Sequence, residues 1–151
     1  MRIWIVVASL LPFALAAEAS ISRHGPEAAV KAAYVADTAS IEAKGPGVMA
    51  DPAARARFLS RSLIRAIGDD EQAAGEPFTD RAPHLVDLSV AELSEKSGSA
   101  KVLAEFARGD GARERLTYAL VFERGEWRID DIGYAYLNGE GHTLRGALAG
   151  K

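Results

Sequence analysis

The sequence contains no cysteine. This absence excludes disulfide bonds, thiolate nucleophiles, cysteine-ligated zinc or iron–sulfur clusters, and a lipid anchor attached to cysteine. A basic surplus is also missing, because 18 Lys and Arg residues stand against 21 Asp and Glu residues, a formal net charge of −3. Nucleic-acid-binding domains neutralise phosphates with excess Lys and Arg, so we expect no nucleic-acid partner.

The common catalytic sequence motifs are missing as well. The chain has no His-Glu-x-x-His helix, Gly-x-Ser-x-Gly elbow, Walker loop or Gly-x-Gly-x-x-Gly turn. Its three histidines, His24, His84 and His142, lie in three different predicted loops. The run Asp69-Asp70-Glu71 lacks the alternating oxygen ligands of a calcium-binding loop. We therefore expect neither a metal nor a cofactor.

The N-terminal segment has the pattern of a secretory signal peptide. Arg2 precedes an apolar run over residues 3–15, and residues 14–16 and 17–19 both fit the small-x-small pattern of signal peptidase sites. The run is shorter than the ~20 residues of a spanning helix, and Pro12 interrupts it. We expect cleavage after Ala16 or Ala19. The remaining residues 20–151 are then a single periplasmic or secreted domain that does not contact the membrane.

The first half of this domain is predicted to be helical. Gly25-Pro26 opens a helix that ends near Lys44, before the helix-breaking Gly45-Pro46-Gly47. Asp51-Pro52 opens a second helix that ends before Gly68, and Ser60 is a candidate cap for a separate segment within it. Residues 69–83 are predicted to form a polar loop. The buried stripe of the first helix comprises Val30, Ala33, Tyr34, Asp37 and Ile41.

The second half has the alternating pattern of β-strands. We expect four antiparallel strands in a meander, with turns at the cluster Lys96-Ser97-Gly98-Ser99, at Gly109-Asp110-Gly111 and at Arg124-Gly125. The third strand carries apolar residues on both faces and is expected to be central. Thr143 is predicted to cap a short last helix. The inward positions are Val86, Leu88, Val90, Ala100, Val102, Ala104, Phe106, Leu116, Tyr118, Leu120, Phe122, Trp127 and Ile129.

Four polar residues fall on predicted inner faces: Tyr34, Asp37, Tyr118 and Asp131. Asp131 is in phase with Trp127 and Ile129 only if the last strand has no bulge. The four side chains then line one cavity between helix and sheet, where a desolvated carboxylate can act as a general base beside a tyrosine hydroxyl. Because an unpaired buried carboxylate is costly, Asp37 must either face a wet cavity with a tyrosine or backbone partner, or reach solvent.

The order of helices followed by a meander resembles the cone-shaped α+β fold of the nuclear-transport-factor-2-like (cystatin-like) superfamily. Within it, the chain is similar to an uncharacterised family of small exported bacterial domains. The residues that carry the resemblance are 76–80 (Glu-Pro-Phe-Thr-Asp), 127–132 and 143–145. Members of the superfamily include enzymes and binding modules, and this chain carries no enzymatic member's catalytic motif, so the resemblance implies a fold and not an activity.

Two hypotheses of function follow. The favoured one is a non-catalytic exported module whose concave sheet binds a small molecule, a peptide or another envelope protein. The alternative is a small cofactor-free lyase, isomerase or hydrolase that uses an Asp–Tyr pair in the cavity. The sequence identifies neither the ligand nor the oligomeric state.

Overall fold

A computed structural model of the chain describes residues 25–68, 86–108, 111–134 and 142–150. The predicted signal peptide at residues 1–19, the loop at 69–83 with the segment 76–80, His24, His84, and the turn residues Gly109 and Asp110 lie outside the described residues. In the described part of the chain, no helix is long and apolar enough to cross a membrane.

The N-terminal half forms four helices: α1 (Pro26–Glu42), α2 (Gly47–Ala50), α3 (Pro52–Phe58) and α4 (Arg61–Ile67). The predicted helix start at Pro26 is confirmed. The predicted break at Ser60 is also confirmed, because its hydroxyl oxygen accepts the N–H of Leu63 at 2.9 Å and caps α4. Asp51 caps α3 in the same way, accepting the N–H of Ala53 at 2.8 Å.

The short helix α2 was not predicted: its first residue, Gly47, was assigned to the helix-breaking stretch, and residues 48–50 were assigned to no element. Gly47 adopts a φ of 79°, which glycine tolerates without strain. Two side chains of α1 then accept the first N–H groups of α2: the Ser40 hydroxyl oxygen accepts from Gly47 at 3.1 Å, and the Asp37 carboxylate accepts from Val48 at 2.7 Å. Contacts with α1 therefore hold a turn that local propensity does not favour.

The C-terminal half forms one open antiparallel sheet in the order β1-β2-β3-β4-β5. The expected mixture of helices followed by an antiparallel meander, an α+β structure, is confirmed. The sheet has five strands where four were expected, because the two-residue strand β5 pairs with β4. The strands are β1 (Val86–Lys96), β2 (Ser99–Ala107), β3 (Arg113–Glu123), β4 (Glu126–Tyr134) and β5 (His142–Thr143).

Two tight turns fix the register of the meander. Ser97-Gly98 joins β1 to β2, and Arg124-Gly125 joins β3 to β4, with positive φ at all four residues. Such two-residue turns match the right-handed twist of the strands that they connect. Both turns were predicted and are confirmed.

The core lies between the helices and one face of the sheet. The predicted inward residues of β2 are all buried, and Val102 lies opposite Tyr118, which in turn lies opposite Ile132. The predicted inward placement of Phe122 on β3 is wrong, because Phe122 is 50% exposed. In β1, Val90 is buried and Leu88 is partly buried against the core, whereas Val86 is 48% exposed. A register irregularity between positions 86 and 89, where Asp87 has a φ of 57°, interrupts the alternation there.

A bulge in β4 overturns the inward placement of Asp131. Ala119 pairs with Asp131, but the next residue, Leu120, pairs with Ile129, so Asp130 is an extra residue in the ladder. One extra residue reverses the alternation of side chains along the strand. Trp127 and Ile129 therefore face the core before the bulge and Ile132 faces it afterwards, whereas Asp131 lies on the opposite face and is half-buried.

The chain ends in the short helix α5 (Leu144–Ala149). The hydroxyl oxygen of Thr143 accepts the N–H of Gly146 at 3.0 Å, which confirms the predicted cap. Leu144 is buried in the main core.

Candidate functional site

Two of the predicted pocket residues form a buried tyrosine pair. The hydroxyl of Tyr118 on β3 donates a hydrogen bond to the hydroxyl oxygen of Tyr34 on α1 at 2.8 Å. Their ring centroids are 6.0 Å apart in an edge-to-face arrangement, and Phe106 makes a similar contact with Tyr34 at 5.6 Å. Both tyrosines are at most 1% exposed. The pair thus joins the first helix to the centre of the sheet inside the core.

Asp37 lies one turn after Tyr34 on the same stripe of α1 and has no exposed surface. One carboxylate oxygen accepts the N–H of Val48 at 2.7 Å. Of the two expectations for this residue, solvent exposure is therefore wrong. A backbone donor is the partner, as the cavity expectation allowed, and this bond ties α1 to α2.

Burial sets the electrostatics of the tyrosine pair. Desolvation raises the pKa of Tyr34 and that of Tyr118 far above the usual tyrosine range. The negative charge of Asp37 raises both further, so the carboxylate is close enough to act on the two hydroxyls. Both phenols are therefore neutral at any physiological pH, and neither is a base.

The fourth predicted residue, Asp131, belongs to a different polar cluster. Its carboxylate accepts the backbone N–H of Ile132 at 2.8 Å and that of Arg145 at 3.0 Å. The guanidinium of Arg145 donates to the carbonyl and the carboxylate oxygen of Asp130, each at 2.6 Å. Ser60 donates to the same carboxylate oxygen at 2.5 Å. This cluster fastens α4 and α5 to the bulge of β4.

The structure therefore brings three of the four predicted residues together, Tyr34, Asp37 and Tyr118, and places Asp131 elsewhere. The three are enclosed, and each has a hydrogen bond to another protein group. A general base must reach a substrate proton directly or through one water. The hydrogen bonds of these three residues satisfy buried polar groups and connect α1 to β3 and to α2.

A groove opens on the surface beside the N-terminal half of α1. It has a volume of about 310 Å³ and runs between α1 and α3 on one side and the β3–β4 hairpin on the other. This volume is at the lower end of the range for small-molecule sites. Its lining residues are Ala28, Ala29, Ala32, Arg57, Phe58, Glu126, Trp127 and Arg128. We call this surface the hairpin groove.

The floor of the hairpin groove is apolar. Phe58 at the end of α3 and Trp127 at the start of β4 are both largely buried, and Trp127 packs edge-to-face against Phe122 at 5.3 Å. Ala28 and Ala32 lie one turn apart on α1, and their short side chains leave the helix surface flat. The groove thus offers an apolar ligand the small exposed parts of two largely buried aromatic rings, beside a wall of alanine side chains.

Charged groups stand at the rim of the hairpin groove. Arg128 donates to the carboxylate of Glu126, so these two charges neutralise each other. The Arg57 guanidinium lies over the Phe58 ring, 5.1 Å from its centroid, as a cation–π contact. Arg57 is exposed, and within the described residues no carboxylate forms an ion pair with it.

Sequence reasoning did not find this groove. Arg57, Arg61 and Arg65 are spaced four apart, which is typical of the solvated face of one amphipathic helix, but the break at Ser60 places Arg57 on α3 and the other two on α4. Trp127 was assigned to the core alone. The only available signal was the flanking of Trp127 by charged residues beside a predicted turn.

A second, polar groove of about 450 Å³ lies on the outer face of the sheet. The guanidinium of Arg115 donates two hydrogen bonds to one Glu105 oxygen there. Its lining is otherwise charged or hydroxylated and contains no apolar side chain: Asp87, Ser89, Glu105, Arg113, Glu114 and Arg115. It therefore offers an apolar ligand neither an aromatic nor an aliphatic side chain.

In the described ranges, no three His, Cys, Asp or Glu side chains are grouped so as to hold a metal ion. The chain matches no protein-family model, no curated protein and no solved structure.

Proposed function

We propose that this protein is a non-catalytic, exported binding module and that the hairpin groove is its ligand site. The observation that carries the proposal is a contrast between two sites. The hairpin groove is open to solvent and has aromatic residues in its lining, whereas the cluster of Tyr34, Asp37 and Tyr118 is buried in the core. Ligand sites are concave and mostly apolar, with a few polar groups that fix orientation. The hairpin groove has this composition.

The alternative, a small lyase, isomerase or hydrolase based on an Asp–Tyr pair, receives less support. It needs a substrate beside Asp37 and a tyrosine hydroxyl, but these groups are at most 1% exposed. The tyrosine hydroxyls bond to each other, and the carboxylate bonds to a backbone N–H. Admitting a substrate would require breaking these bonds and opening the core.

Two further parts of the proposal concern origin and ancestry. The pattern of residues 1–19 supports export to the periplasm or the medium, where an envelope metabolite or protein could meet the groove. The nuclear-transport-factor-2-like cone is proposed as the detailed architecture. Its support is the position of helices against one face of an antiparallel meander, together with the contact of segments 127–132 and 143–145 through Asp130, Asp131 and Arg145.

Filling the hairpin groove with a side chain tests the proposal. Ala32 and Ala39 are both exposed on α1, but only Ala32 lines the groove. The probe is Nile red, a neutral apolar dye whose emission rises on transfer out of water. We expect Ala32→Phe to abolish the dye signal that the wild-type chain gives and Ala39→Phe to preserve it. Equal dye binding by the two variants contradicts the proposal.

A further inference from the structure

The charge at the rim of the hairpin groove is positive by one unit. Of its three charged side chains, Arg128 and Glu126 are bonded to each other. The remaining charge is that of Arg57, which stands above the aromatic floor on the ring of Phe58. The whole chain has the opposite sign, with a formal net charge of −3. The groove is thus a local cationic site on an acidic protein.

The position of Arg57 suits recognition of an anion. The N–H donors of a guanidinium lie in its own plane, and a cation–π contact with a ring does not occupy them, so they remain available to a ligand. That planar fork matches the geometry of a carboxylate or a phosphate and can donate two parallel hydrogen bonds. The contact with Phe58 also restricts the Arg57 side chain before binding, which reduces the entropy that binding must overcome.

Charge and shape together define a class of ligand. We propose that the hairpin groove takes an amphiphile with one anionic head group, a carboxylate or a phosphate monoester, that Arg57 holds at the rim. The apolar body lies on Phe58 and Trp127, against the flat wall formed by Ala28 and Ala32. This inference rests on the proposed function, because it presupposes that the groove binds a ligand at all.

The test uses the fluorescence of Trp127 on the groove floor. The chain has two tryptophans, Trp4 and Trp127, so Trp4→Phe in the full chain makes Trp127 the only emitter. Octanoate, octyl phosphate, 1-octanol and octylammonium share one apolar body and differ in head group. Each is titrated into this protein while the Trp127 emission is recorded.

Two arginine variants separate the local charge from general electrostatics. Arg57→Gln removes the proposed anion contact, whereas Arg65→Gln removes an exposed charge on α4 that does not line the groove. We expect Arg57→Gln to weaken octanoate or octyl phosphate binding about tenfold, equivalent to about 1.4 kcal/mol. Its affinity for 1-octanol should be unchanged. Arg65→Gln should behave as the parent protein does towards all four probes.

The outcomes distinguish this inference from the proposed function. Tighter binding of an anionic probe than of 1-octanol, lost in Arg57→Gln, supports both, and the tighter of the two anions identifies the head group. Equal binding of 1-octanol and both anions, or no effect of Arg57→Gln, overturns the anionic ligand but leaves the groove as an apolar site. Absence of binding by all four probes overturns the proposed function and this inference with it.

Discussion

The hydroxyls of Tyr34 and Tyr118 meet at 2.8 Å in the centre of the core, joining the first helix to the central strand of the sheet. Residues 84 positions apart in the sequence are thereby linked by one hydrogen bond. A buried bond of this kind restricts how the helix can slide on the sheet, because any other placement separates two desolvated hydroxyls. The pair therefore contributes to the specificity of packing as well as to stability.

A double-mutant cycle on this pair should show coupling. We expect Tyr34→Phe and Tyr118→Phe each to lower the free energy of unfolding by about 1 kcal/mol, since each removes one partner of a buried hydrogen bond. The double variant should lose less than the sum of the two, because it leaves no hydroxyl without its mate. Urea denaturation of the four proteins measures the coupling. Strict additivity would show that the bond contributes nothing.

Alkaline pH should weaken the fold through the same pair. Unfolded tyrosines ionise near pH 10, whereas burial raises the pKa of both residues in the folded protein. Above pH 10 the unfolded state therefore binds fewer protons than the folded state, and the free energy of unfolding falls as pH rises. We expect a steeper loss between pH 10 and 11 in the wild type than in the double phenylalanine variant. Parallel pH profiles would contradict this assignment.

Asp37 should behave as a structural acceptor. Asp37→Leu leaves the buried N–H of Val48 without its carboxylate partner, and we expect a loss of about 2 kcal/mol in the free energy of unfolding. Asp37→Asn keeps an acceptor oxygen in the same place and should lose less than half as much. Thermal or urea unfolding measures both. If the Asp37→Leu variant is as stable as the wild type, the hydrogen bond from Val48 to Asp37 makes no net contribution to the free energy of unfolding.

Trp127 and Arg128 provide a direct test of the strand register. Trp127 is buried in the core, whereas Arg128 is partly exposed and pairs with the exposed Glu126. Deleting a large buried aromatic side chain costs about 3–5 kcal/mol, but removing one member of a partly exposed ion pair costs about 1 kcal/mol or less. Trp127→Ala should therefore unfold at a much lower urea concentration than Arg128→Ala. Equal urea midpoints for the two variants would show that the burial assigned to Trp127 on β4 is wrong.

Processing of the N-terminus is a separate prediction. If residues 1–19 act as a signal peptide, the mature protein begins at Ala17 or Ser20. Intact-mass measurement of protein isolated from the cell envelope should give one of these two species. A full-length chain of 16.1 kDa that retains Met1 in the membrane fraction would contradict export by cleavage.

Local signals predicted much of the fold. Short stretches of sequence determine the starts of α1, α3 and α4 and the two tight turns. Examples are Asp51-Pro52 and Arg124-Gly125, whose conformational preferences do not depend on distant residues. The helix α2 escaped prediction because its first N–H groups are accepted by Ser40 and Asp37, which precede it by at least seven positions.

The candidate site was harder to predict for the same reason. The bulge at Asp130 is held by Ser60, 70 positions earlier, and Arg145, 15 positions later, and its effect is to move Asp131 off the inner face. Alternation alone could not reveal it. The hairpin groove is formed by three separate segments around Ala32, Phe58 and Trp127. No spacing of residues in the sequence predicts that these segments lie together.

The central claim is that ligands enter the hairpin groove and not the tyrosine cluster. A ¹H–¹⁵N correlation NMR titration of the full chain with 1-octanol tests it most directly. We expect the backbone amides of Ala28, Ala32 and Arg128 to shift with the probe concentration, while those of Val48 and Tyr118 stay in place. Shifts concentrated at Val48 and Tyr118, with the groove amides unchanged, would contradict the account and favour a cavity in the core.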